Sequence, residues 1–138
     1  MTSISSAGTL VPAPTPSSAI SLLTQAARTL ADAERQPVAG DRYAGAYVAA
    51  MRAAAAVVAA RARPDDRRRR PLPVWALLAA LAPELGEWAS FFAAGSRTRA
   101  AVQAGVTRLV TDRDADDLVR QTGLFIELAD RNVRGDRQ

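Results

Sequence analysis

A chain of 138 residues that is 49% hydrophobic and 5% aromatic can bury one core of ordinary domain size. It holds no cysteine and no histidine, which excludes disulfides, thiolate metal sites and the commonest general base. Its formal charge of +4 suits an anionic partner, and the placement of the arginines says more than their sum.

The opening stretch, SISSAGTLVPAPTPSS, has too few apolar side chains to offset its ordering entropy, so residues 1–17 are expected to form a disordered tail. It carries no basic-then-apolar secretory pattern. The longest apolar run, Val74 to Ala82, falls well short of the roughly 20 residues that span a bilayer. A cytoplasmic protein with no membrane span is the expectation.

A first helix is predicted from Ser17 or Ser18, as N-cap, to about Gln36, with Leu22, Ala26, Leu30 and Ala33 on one stripe and Pro37 ending it. The second begins near Asp41, a candidate cap. It places Tyr43, Tyr47, Ala50, Met51, Ala54, Val57 and Val58 in one sector, with Arg52 on the opposite, solvated face. Residues 61–73, RARPDDRRRRPLP, carry six arginines and three prolines and are expected to be a loop. Arg61, Arg63, Arg67, Arg68, Arg69 and Arg70 there are candidate phosphate contacts for RNA or a nucleotide, each adding salt-sensitive affinity without sequence preference. The alternative is a solvated linker whose charge Asp65 and Asp66 partly cancel.

The third segment, Val74 to Ala94, is the most apolar. Val74, Leu77, Leu81, Leu85, Trp88 and Phe92 project along one stripe, and Pro83 predicts a kink or a restart. Glu84, at the edge of that stripe, needs an arginine or a hydroxyl as partner and is read as half of a structural ion pair. Gly95 and Ser96 predict a stop and a new cap before a short segment closed by Gly105, which brings Arg97, Arg99 and Arg108 together as a second basic patch. Thr111 with Asp114 forms a capping box opening the last helix, whose core stripe includes Leu118, Phe125 and Ala129. Leu124 and Leu128 project from its other side, toward either the first helix or a partner subunit.

The expected architecture is therefore all-α, an antiparallel up-and-down bundle of four to five helices over residues 18–134, with residues 135–138 frayed. Tyr43, Tyr47, Leu81, Trp88, Phe92 and Phe125 are its predicted core anchors. No phosphate loop, nucleophile elbow or metal-ligand spacing occurs, so no metal, no cofactor and no catalytic residue is assigned.

The succession DRYAGAYVAAMRAAAAVVAARARP, the arginine run, PVWALLAALAPELGEWASFFAAG and TDRDADDLVRQTGLFIELA resembles a branch of small stand-alone HEPN-domain proteins of high-GC bacteria, over roughly residues 18–133. The resemblance implies a helical bundle, often dimeric. In many members an arginine, followed after four to six residues by a histidine on the same helix, makes a metal-independent ribonuclease. Here Arg52 and Arg61 are the candidate arginines, Val57 and Asp66 stand five residues after them, and the histidine is missing. Arginine stays protonated and cannot serve as the base. The resemblance then implies a non-catalytic HEPN-like module that binds RNA, a nucleotide or a protein partner, with an antitoxin-like or other protein-only role as the alternative and a homodimer as a possible assembly.

Overall fold

The structure, a computed structural model, describes residues 17–63 and 72–135. The expected tail before Ser17, the run Arg67 to Arg70 and the last three residues lie outside these. The described elements are α1 (Ser17–Glu34), α2 (Ala39–Arg61), α3 (Val74–Leu81), a 3-10 turn (Pro83–Leu85), α4 (Gly86–Ala94), α5 (Ser96–Gln103), a second 3-10 turn (Thr107–Leu109) and α6 (Asp112–Val133).

Two sets of contacts fix the directions. Arg42, near the start of α2, reaches Asp112 and Asp116 at the start of α6. Glu84 holds Arg61 at the end of α2 and Asn132 near the end of α6. Helices α2 and α6 therefore run the same way, while α1 and the broken member α3–α4–α5 run against them. This is the expected up-and-down bundle, with its third member in three pieces.

Helix α2 is the centre. Ala46, Ala49, Ala50, Ala53, Ala54, Ala56 and Val57 are all fully buried, so it is covered on more sides than a single stripe would allow. It is long and apolar enough to cross a membrane, which the expectation of no span, resting on the run Val74 to Ala82, does not cover; here it is wrapped by α1, α3, α5 and α6. Small residues let the backbones approach: a Cβ at Gly45 would sit 2.8 Å from the Ala33 Cβ of α1. Asp41 is not the cap. Val38 occupies that position without a side-chain bond, and Asp41 lies in the first turn, where a carboxylate favours the helix dipole.

The apolar stripe of the third member keeps the predicted Leu85 and Phe92 but lies one residue later at the other four predicted positions. Trp75, Leu78, Ala82, Leu85, Ala89 and Phe92 are buried, whereas Val74, Leu77, Leu81 and Trp88 are half-buried. The predicted stripe keeps a 3.6-residue period through Pro83. The real one steps through a 3-10 turn of about three residues per turn, and two alanines occupy the closest approaches, where leucine weights mislead. Leu81 is thus a correction to the anchor set, and Trp88 and Tyr43 flank the core instead of filling it.

The core's polar hub is Tyr47, 2% exposed. Its hydroxyl donates to the Phe92 carbonyl at 2.9 Å and accepts from the Trp75 indole at 2.9 Å, so both buried polar groups are satisfied. Trp75 stacks on Phe92 with centroids 4.9 Å apart, and Phe92 meets Phe125 of α6 at 5.1 Å. The junction of α4 and α5 differs from expectation. Gly95 is right-handed at φ −85° and Ser96 makes no cap bond. Glycine is needed for space instead, since a Cβ there would lie 3.0 Å from the Tyr43 hydroxyl. Gly105, at φ +96°, does close α5 as predicted. The Thr111–Asp114 capping box is present, with both bonds at 3.0 Å.

Candidate binding surfaces

At the end of the bundle where α2 finishes, Arg61 is committed. It donates to the Leu81 carbonyl at 3.0 Å and to both carboxylate oxygens of Glu84, and its side chain is 13% exposed. Its fork closes the otherwise open C-terminus of α3 and makes the bidentate geometry that arginine favours. The Arg61 hydrogen bond holds the Glu84 carboxyl down to about 2, assisted by Asn132, whose amide donates to it at 2.9 Å. Glu84 is the ion-pair half that its position predicted. Arg61 is correspondingly less available for phosphate than its place in the basic segment suggested.

Other arginines at this end were not picked out by the sequence reading. A groove of about 510 Å³ between α1 and α6 is lined by three arginines, Arg28, Arg131 and Arg134, and two carboxylates, Glu127 and Asp130, with Leu23, Ala27 and Ile126 as its apolar part. Arg134 pairs with Asp130 at 2.9 Å. Arg28 and Arg131 make no ion pair with any described residue. They lie on two helices far apart in sequence, so no local motif announces them. Arg63 is exposed just beyond α2.

The second basic patch is dispersed. Arg97 and Arg108 are exposed, but Arg99 is half-buried with its guanidinium 5.7 Å from the centre of the Tyr47 ring. Tyr47 precedes Arg61 by 14 residues of one helix, a rise of about 21 Å, so Arg97 and Arg99 do not join Arg61 and Arg63 in one surface. Arg52 is not simply solvated: it donates to the Thr29 hydroxyl at 2.5 Å. Val57, five residues after it, is fully buried; Asp66, five residues after Arg61, lies outside the described residues, and among the described residues the carboxylate that meets Arg61 is Glu84, which Arg61 keeps ionised.

A further groove runs between α4, α5 and α6, also of about 510 Å³, and Phe91 and Leu109, 48% and 57% exposed, form its apolar rim. Tyr43 and Thr98 supply hydroxyls and Asp114, Asp117 and Gln121 supply acceptors. Burial raises the Tyr43 phenol above its ordinary range, Thr98 offsets part of this by hydrogen bonding, and the charge of Asp114 adds to the rise. Asp117 pairs with Arg120 at 2.8 Å. Farther along α6, at helical spacing from Gln121, Leu124 is 47% exposed and Leu128 half-buried. Helix α1 does not cover Leu124; it meets the neighbouring flank, where a Cβ at Gly123 would touch Leu30 at 3.7 Å. Among the described residues no cluster suited to a metal ion occurs.

A family model described as SAV_6107-like HEPN matches residues 16–130. No curated protein and no solved structure matches the chain.

Proposed function

The chain belongs to the SAV_6107-like HEPN family, and on that premise we propose that it is a non-catalytic module that binds RNA at the end of the bundle where α2 finishes. The observation that carries this reading is the groove of Arg28, Arg131 and Arg134, in which two guanidinium groups lack an ion-pair partner among the described residues. Five described arginines (Arg28, Arg61, Arg63, Arg131 and Arg134) gather at this end, against three carboxylates (Glu84, Glu127 and Asp130). Between Arg63 and Leu72 the sequence adds four arginines, Arg67 to Arg70, and two carboxylates, Asp65 and Asp66, a further net +2. At the opposite end the acids Asp41, Asp112, Asp114, Asp116 and Asp117 are accompanied by Arg42, Arg108 and Arg113, with Arg42 paired to two of them, so the excess positive charge lies where α2 finishes. Such a polarity orients a polyanion toward one end. The contacts are to phosphate, so binding is expected to be sensitive to salt and indifferent to sequence.

Catalysis is not part of the reading, because the histidine that the family's ribonucleases use is missing and Glu84 is held ionised by Arg61. Fluorescence anisotropy with a labelled single-stranded RNA tests the proposal. Affinity that falls steeply with salt and is lost on changing Arg67 to Arg70 to serine supports it; affinity untouched by either removes it. A second reading rests on exposed Leu124 and Phe91: this face seats a protein partner or a second copy.

A further inference from the structure

We propose that the groove between α4, α5 and α6 is a binding site for a small organic cation, an amine or amidinium carried on an aromatic or apolar body. Nothing in the RNA reading uses this groove. It lies at the other end of the bundle, so the failure of one leaves the other standing.

A cavity of about 510 Å³ falls in the range of small-ligand sites, roughly 300–1,000 Å³, which combine an apolar wall with a few convergent polar groups. The apolar wall is Phe91 and Leu109, both half-exposed with no described residue covering them fully, and a planar ligand body has the Phe91 face to lie against. The polar groups come from three elements that the fold brings together. Tyr43 projects from α2, Thr98 from α5, and Asp114, Asp117 and Gln121 from α6. Gly95 leaves room for the Tyr43 hydroxyl, which a Cβ would crowd at 3.0 Å.

Charge then selects the ligand. Two carboxylates and one guanidinium line the groove; Arg120 and Asp117 form an ion pair and offset each other, which leaves the Asp114 charge in excess. Glu87 lines a smaller depression that shares Phe91 and Gln121 with it and adds a third carboxylate. Two of the amide groups at the start of α6, those of Thr111 and Asp114, are spent in the capping box. The Tyr43 and Thr98 hydroxyls and the Gln121 amide can donate or accept, so charge decides: the carboxylates of Asp114 and, beside the groove, Glu87 have no ion-pair partner among the described residues, and with the Phe91 face they favour a cation.

Three probes of one shape decide the matter: benzamidine, neutral benzamide and anionic benzoate, followed by amide NMR on the intact chain. Benzamidine is expected to shift the Thr98, Asp117 and Gln121 amides saturably, with a dissociation constant on the order of 1 mM for so small a body. Benzamide and benzoate are expected to bind at least about tenfold more weakly, the loss of one charge interaction. Asp117→Asn should weaken benzamidine by a similar factor, and Phe91→Ala should weaken all three probes. Both positions are at the surface, and a native amide spectrum for each variant separates lost binding from lost fold. Equal binding of benzamide or benzoate, shifts confined to other residues, or no saturable shift with benzamidine overturns the proposal.

Discussion

Replacing Tyr47 with phenylalanine keeps the ring and removes one oxygen from the centre of the core. The Phe92 carbonyl retains the Gly95 amide as donor at 2.9 Å, but the Trp75 indole N–H loses the acceptor it reaches at 2.9 Å and stays buried, since Trp75 is 7% exposed. Leaving one buried donor unpaired costs about 1–3 kcal/mol. Taking about 2 kcal/mol, a domain of this size should melt roughly 5–10 °C lower. Urea unfolding followed by tryptophan fluorescence gives the midpoint and the slope together. A lowered midpoint with unchanged slope is expected. An unchanged midpoint would refute the reasoning, because Trp75 would then have another partner or reach water.

Gly45→Ala should destabilise by about 1–3 kcal/mol despite alanine's better helix propensity, because its Cβ would lie 2.8 Å from that of Ala33; thermal melting checks this. Glu84→Gln should cost about 1 kcal/mol at neutral pH, a figure reduced for the half-exposed carboxylate. The sign follows from the depressed pKa: the ion pair's contribution is complete above the unfolded value near 4.5 and is lost as pH falls toward about 2. The wild type should therefore lose stability across that window in excess of the variant, as urea midpoints against pH would reveal. If the Leu124 face joins two copies, Leu124→Glu should halve the mass measured by light scattering, and a monomeric wild type removes that reading.

The elements were largely legible in the sequence because they rest on local signals. Pro37, the Pro83 break, Gly105 and the Thr111–Asp114 box each act within one turn of chain. Glu84's need for a partner was legible too, though not that Arg61 supplies it, since 23 residues separate the two. The stripe of α3 and α4 went astray where a 3-10 turn altered the period. The binding surfaces were the least legible. Arg28 and Arg131 stand on helices that only the tertiary fold sets side by side. Conversely Arg61 and Arg99, equal to any other arginine in the sequence, are held by Glu84 and the Tyr47 ring. Burial also changed the reading of Arg52, whose exposed face on an isolated helix becomes a contact with Thr29 once α1 is in place.

The salt dependence of RNA binding tests the central claim most directly, comparing the wild type with a variant in which Arg28 and Arg131 are both serine. Each phosphate contact contributes about −0.7 to the slope of log affinity against log salt for a single strand, so losing two should flatten the slope by about 1.4. A flattened slope with unaltered melting temperature is the predicted result; an identical slope and affinity in the variant would contradict the assignment of RNA to this end of the bundle.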